Sequence, residues 1–336
     1  MTITPPHNQL RLSNIELLRI VAMLMILVLH VQVDGIESTY DDTIDINHFT
    51  SFLFEAISIV GVNLFILISG YFGIHLRRRS VANILFQIYF FGLLGLIGWM
   101  AIQGTYAVDT RYFIKAILPV SQTVWFIPSY VMLMLLSPVL NAFCEKYDVK
   151  KIAQLTIAVY ALSYFWTNIM QGTISGFGGY NWGWFVLLYL TGRIIRRYTD
   201  THTYKKRYFL AGYVVTTLAI VGIAFLQNRI PIGKSLLWSY DFPLVYISSI
   251  SLFLFFVKLD IGYVKWINWI AASAFAVLLL HVAPFAQYVN VNRYLHDNYS
   301  GISYVMLTGA VVIGYFMAAV LIDQLRIFIF RKIVKK

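Results

Sequence analysis

The sequence predicts an all-α, polytopic membrane protein of about ten transmembrane helices with both termini cytoplasmic. Three observations carry that prediction. Hydrophobic residues make up 59 % of the chain and charged residues only 12 %, about half the charged fraction of a soluble domain, and mean hydropathy is +0.71. Apolar segments recur along all 336 residues, which describes one integral-membrane domain over 1–336 rather than a soluble domain with an anchor. Lys and Arg gather in alternate connections, as a bundle of fixed orientation requires.

A helical span needs about 20 apolar residues. Such segments lie near 16–34, 52–74, 82–103, 121–142, 152–170, 180–197, 208–226, 239–257, 268–289 and 302–323. The first carries Arg19 in its interior and lacks a small-residue cleavage site, so it reads as a true span and not as a cleaved signal. HLRRRS at 75–80 divides the second from the third. In the fourth, Pro128 is expected to kink the helix. Gly183 and Gly192 interrupt the sixth, and the eighth begins near Asp241 and Pro243 with a broken outer end.

One set of connections holds Arg77–Arg79, Lys146, Lys150, Lys151, Arg193, Arg196, Arg197, Lys205–Arg207, Lys258, Lys265 and the tail from Arg326 to Lys336. The other set holds only Arg111, Lys115, Arg229, Lys234 and Arg293, and its first member, 34–47, is acidic. Topology therefore accounts for the formal net charge of +11. No nucleic-acid partner is needed, and the charged partner is membrane lipid. Residues 324–336 read as a basic amphipathic tail resting on anionic inner-leaflet lipid. A single cysteine, Cys144, excludes a disulfide framework and a thiolate metal cluster. No HExxH, no Walker A loop and no other metal-ligand spacing occurs, so no metal is expected.

Ionisable residues inside spans are costly and mark sites or paths. Arg19 and His30 both lie in the first span. Eleven positions amount to one small step past three turns, so they share a face about 16 Å apart. Glu16, three positions before Arg19, fits an ion pair with it. A neutral imidazole can take a proton from a hydroxyl and return it to a leaving group, which is what acyl transfer needs. In the second span, Gly61 and Gly70 suit close helix packing. Arg77, Arg78 and Arg79 follow it. They suit a topology determinant and equally the phosphates of a bulky anionic donor. The ninth span carries Ser273 and His281, with Pro284 after them. Eight positions leave these two side chains about 80° apart on one helix. The GFGGYNWGW stretch at 176–184 reads as an outer cap or an interfacial loop.

These residues carry a resemblance. NIELLRIVAMLMILVLH resembles the first span of the integral-membrane acyltransferase family (acyltransferase 3 type) that O-acetylates bacterial surface polysaccharides. Arg19 and His30 occupy that family's basic and histidine positions, and Glu16 its acidic one. GVNLFILISGYF is similar to its second-span signature, with Asn63 where aspartate is frequent. The arginines that follow resemble its basic cytoplasmic turn, and SAFAVLLLHVAP its late serine–histidine–proline signature. WFIPSYVMLMLLSPVLN resembles its fourth-span region.

The resemblance implies an acyl-CoA donor, usually acetyl-CoA, held from the cytoplasm, and a glycan or lipid-linked sugar acceptor on the outer side of a bacterial cytoplasmic membrane. It implies His30, Glu16, Ser273 and His281 as the catalytic set and Arg19, Arg77 and Arg79 as the donor-binding set. A homo-oligomer, or an association with polysaccharide assembly proteins, is compatible with the apolar faces. The competing class is a transporter or flippase-like permease for a glycan precursor or small anion, which should show paired discontinuous helices in two related halves. No internal repeat is evident. A structural partner of a polysaccharide synthase is the third class.

Overall fold

A computed structural model describes residues 12–37, 46–103, 114, 125–170, 179–198, 204–227, 237–281 and 291–334. Within them the chain is helical: α1 (Ser13–Glu37), α2 (Ile46–Ser58), α3 (Gly61–Phe72), α4 (Arg78–Gln103), α5 (Phe126–Lys146), α6 (Val149–Tyr164), α7 (Trp182–Tyr198), α8 (Lys206–Gln227), α9 (Pro243–Val257), α10 (Lys265–Ala271), α11 (Ala274–His281), α12 (Val291–Asn298) and α13 (Gly301–Val334). A π-helical turn, Phe165–Ile169, extends α6. The acidic connection 38–45, the glycines at 176–178 and Pro284 lie outside the described residues.

Among the described residues six helical stretches are long and apolar enough to cross a membrane: Ser13–Val31, Thr50–Phe72, Arg78–Gly98, Phe126–Lys146, Lys206–Leu226 and Gly301–Ile333. The chain is thus a multi-pass membrane protein. The other four expected intervals hold shorter helices, α6, α7, α9 and the α10–α11 pair. Two of the long segments are interrupted. The second breaks at Ile59–Val60 between α2 and α3, and the ninth breaks at Ala272–Ser273 between α10 and α11.

Helix α1 is the hub. It packs against α2, α3, α9, α10, α11, α12 and α13. Its apolar residues Ile15, Leu18, Ala22, Met23 and Ile26 are all buried. Its first turn is also tied by polar bonds. Ser13 Oγ accepts from the Val264 amide at 2.8 Å and from Asn268 Nδ2 at 2.9 Å, and Asn14 Nδ2 donates to the Phe256 carbonyl at 2.9 Å. These bonds seat the α9–α10 connection on the start of α1.

A close crossing joins α3 and α7. A Cβ on Gly70 would stand 2.2 Å from the Tyr189 carbonyl oxygen, and one on Gly192 would stand 2.5 Å from the Leu67 carbonyl oxygen. Each glycine lets the other helix's backbone approach, the device small residues provide in membrane bundles. Gly61 does the same against α1, where its Cβ would meet the Ala22 carbonyl oxygen at 2.9 Å. Pro128 does not kink α5. It sits in the first turn of that helix, where no amide is needed, and the interior proline is Pro138.

Polar side chains cross-link the rest. Trp184 Nε1 donates to Asn63 Oδ1 at 2.9 Å, while Asn63 Nδ2 donates to the Tyr240 carbonyl at 2.9 Å and to Ser249 Oγ at 3.1 Å. A carboxylate at 63 would offer no donor to that carbonyl, which explains the asparagine. At the other end of α13, Arg326 and Asp323 form a buried ion pair at 2.6 Å, and Arg326 Nη1 donates to Asn83 of α4 at 2.8 Å. Residues 324–334 continue α13 with Arg326 buried and Arg331 and Lys332 exposed.

Gly70→Ala is expected to lower stability by about 1–3 kcal/mol through overpacking. Gly222→Ala, whose Cβ meets nothing within 4 Å, is expected to leave it equal or raise it slightly. Thermal unfolding of the purified variants in detergent checks both.

Candidate active site

Two helices from opposite ends of the chain bring two histidines together. The rings of His30 on α1 and His281 on α11 lie 4.5 Å apart, centroid to centroid, edge-to-face at 69°. His30 Nδ1 lies 2.8 Å from the Ile26 carbonyl, and His281 Nδ1 lies 3.1 Å from the Val277 carbonyl. A carbonyl only accepts, so each Nδ1 carries the hydrogen and each neutral ring keeps its lone pair on Nε2. In both cases the fixing bond is to the residue four positions back on the same helix. Rotamer and tautomer are therefore set locally, before the two helices meet.

The surroundings differ. His281 Nε2 is buried with no hydrogen-bond partner. His30 is accessible although protein surrounds it on most sides, which describes a side chain in a recess and not one on a convex surface. An acceptor atom with no partner in such a place costs free energy and asks for a donor. A hydroxyl entering the recess supplies one.

The other expected residues stand at separate levels. Glu16 and Arg19 form a 2.7 Å ion pair on one face of α1. By helix rise Arg19 lies about 16 Å from His30 and Glu16 about 21 Å. Glu16 thus faces Arg19 and not the histidine pair. Ser273 is fully buried in the break between α10 and α11. Its hydroxyl accepts from Gln324 Nε2 at 3.0 Å. His281 lies eight residues farther on, about 12 Å along the chain. Ser273 therefore anchors the base of the helix that carries His281.

Arg77, Arg78 and Arg79 are exposed at the turn between α3 and α4. That turn is held in shape. Gly73 closes α3 at φ +76°, a conformation glycine adopts without strain. The Ile74 amide donates to Tyr189 Oη at 3.0 Å, Tyr189 Oη donates to Asn141 Oδ1 at 2.6 Å, and Asn141 Nδ2 donates to the Ile74 carbonyl at 2.9 Å. Three helices thereby fix the start of the arginine run. Arg193 and His75 reach the same place, since a Cβ on Gly73 would meet Arg193 Nη1 at 3.0 Å and His75 Nε2 at 3.6 Å. Arg196 caps Tyr71, with its Nη1 3.0 Å from the hydroxyl and its guanidinium carbon 5.0 Å from the ring centre. By helix rise the turn stands about 26 Å from the level of the histidines.

The family follows from the whole chain. A family model described as an acyltransferase domain, of acyltransferase 3 type, matches residues 12–324. The chain belongs to the acyltransferase 3 family. No curated protein and no solved structure matches it. As a member of that family it is a membrane acyltransferase, and a two-histidine recess with free ring nitrogens is an arrangement acyl transfer can use. The permease reading has no comparable support.

Two features of this acyltransferase escaped the sequence argument. Glu55 sits on α2 with a buried, unpartnered Oε2, and Asp323–Arg326 pair inside the last span. Both carry a legible signal, an ionisable residue within an apolar run. Among the described residues no group of three His, Cys, Asp or Glu side chains could hold a metal ion.

Tyr189→Phe removes the hydroxyl that holds Ile74 and Asn141. The Ile74 amide is expected to exchange its hydrogen about fivefold to tenfold faster, for a lost bond of about 1 kcal/mol. Hydrogen-exchange mass spectrometry on the peptide spanning 73–77 reads this directly.

Proposed function

We propose that the protein is an acyl-CoA-dependent O-acyltransferase of the bacterial cytoplasmic membrane. It moves an acyl group, acetyl in the first instance, from cytoplasmic acyl-CoA to a hydroxyl of a cell-surface or lipid-linked glycan. The observation that carries this reading is the His30–His281 pair, two tautomer-fixed imidazoles in one recess.

The donor enters from the side of the arginine turn. Arg77 and Arg79, with guanidinium forks that match phosphate oxygens, hold the CoA phosphates. Arg19, oriented by Glu16, lies between the turn and the histidines and steadies the donor on the way. About 26 Å separates the two ends, a span suited to a donor with an extended arm such as pantetheine. The thioester then reaches the recess while its charged end stays at the turn.

His30 accepts the hydroxyl proton at Nε2 as the acceptor oxygen attacks the thioester carbonyl. A C–O bond forms, and the tetrahedral intermediate collapses with loss of the C–S bond. The imidazolium returns its proton to the departing thiolate, so the products are the ester and free CoA. His281, packed edge-to-face against His30, offers a second free ring nitrogen for the acceptor hydroxyl. Ser273 acts through its bond to Gln324, which holds the α11 helix in register.

His30→Ala is expected to abolish acetyl transfer from acetyl-CoA in proteoliposomes while the yield of folded protein stays near that of the wild type. Retained turnover in that variant removes the mechanism. Arg79→Ala is expected to raise the apparent KM for acetyl-CoA about tenfold, the worth of one charge-assisted phosphate contact, with a smaller effect on kcat. A donor dependence that does not change counts against phosphate binding at the turn.

A further inference from the structure

Glu55 has no part in the chemistry above, yet its placement is informative. Gly61 abuts α1 at Ala22, Met25 and Ile26. Glu55 lies six residues earlier in the antiparallel α2–α3 segment, about 9 Å along the axis. That puts it near the level of His30. Ser51 stands one turn beyond it on the same face. Ser51 Oγ and Glu55 Oε2 are both buried without hydrogen-bond partners. Two orphaned oxygens one turn apart describe a surface that accepts or donates hydrogen bonds to something other than this chain.

Aromatic rings wall the same place. Phe52, between the two on α2, stacks on Trp238 at 6.0 Å and 14°. The Trp238 carbonyl accepts from Tyr180 Oη at 3.0 Å. Tyr180 packs on Tyr240 at 4.8 Å, and Trp125 packs on both, at 5.3 and 5.5 Å. Glu55 is within electrostatic reach of Tyr180 and Tyr240. Tyr180 is half exposed, whereas Tyr240 is buried, so the cluster runs from an open rim inward.

We infer that Ser51, Glu55 and the rings of Phe52, Trp238, Tyr180 and Tyr240 form the acceptor subsite, which grips a sugar by its hydroxyl rim and presents one hydroxyl to the histidine pair. A sugar ring has donors around its edge and C–H bonds on its faces. A carboxyl with a free oxygen takes the first, and aromatic walls take the second. An aliphatic alcohol would use neither well. Two oxygens are too few for a cation cage. This inference rests on the acyl-transfer reading and adds the residues that choose the acceptor. Glu55 is here a positioning and specificity residue.

The test uses the full chain in proteoliposomes with acetyl-CoA and two acceptor probes, methyl β-D-glucopyranoside and n-butanol. The wild type is expected to favour the glycoside. E55Q keeps the shape of the side chain and replaces one carboxyl oxygen with an amide nitrogen. It is expected to lower the glycoside-to-butanol ratio of kcat/KM by about tenfold, the worth of one lost hydrogen bond at a buried site, with the KM for acetyl-CoA unmoved. W238A is expected to shift the same ratio in the same direction. An unchanged ratio in both variants overturns the subsite, and so does a wild type that favours butanol. Equal losses on the two probes assign Glu55 a structural role and overturn it as well. A wild type that acetylates neither probe defeats acyl transfer itself, and the subsite with it.

Discussion

The hydrocarbon around this chain offers a polar side chain no alternative partner, and that constraint organises the structure. A buried donor or acceptor must find its match inside the bundle or be left at a cost. Asn63 meets the constraint by using both ends of its amide on three neighbours from different parts of the chain. Arg326 meets it with Asp323 and Asn83. Ser273 meets it with Gln324. Apart from Arg326–Asp323, three residues apart on α13, each of these bonds also ties together parts of the chain that are far apart in sequence. The atoms that fail to meet it inside the protein are then the informative ones. His281 Nε2, Ser51 Oγ and Glu55 Oε2 are among them, and they belong to helices packed against α1.

Helix α1 links the two ends of the proposed reaction. It carries the Glu16–Arg19 pair, with Arg19 about 16 Å from His30, and it touches the helices that bear His281 and Glu55. Its rigidity comes from packing on many sides and from the bonds that Ser13 and Asn14 make to the α9–α10 connection. The glycine crossing of α3 on α7 serves the other end. It brings Tyr189 close enough for its hydroxyl to hold the turn that presents the arginines.

Much of this was legible in the residues. Composition and the alternation of Lys and Arg gave an all-helical membrane chain, and helical spacing placed Glu16 beside Arg19. Gly61 and Gly70 read correctly as packing positions, because a missing side chain in an apolar run has few other uses. The meeting of His30 with His281 was beyond spacing, since nothing local reports which distant helices touch. The surroundings of Ser273 were beyond spacing for a related reason. The sequence treated 268–289 as one helix, whereas the break at Ala272–Ser273 turns the serine toward Gln324. Pro128 was read as a kink because the start of α5 was placed too early, at 121 instead of Phe126. Glu55 went unnoticed although a lone carboxylate in FTSFLFEAISIV is the same kind of signal that made Arg19 conspicuous.

A map of the protein with a non-hydrolysable thioether analogue of acetyl-CoA tests the central claim most directly. The account predicts phosphates at the Arg77–Arg79 turn and the acyl carbonyl within hydrogen-bond reach of the two imidazoles. An analogue whose acyl end stops outside the bundle, or histidine rings that face lipid tails, would contradict it.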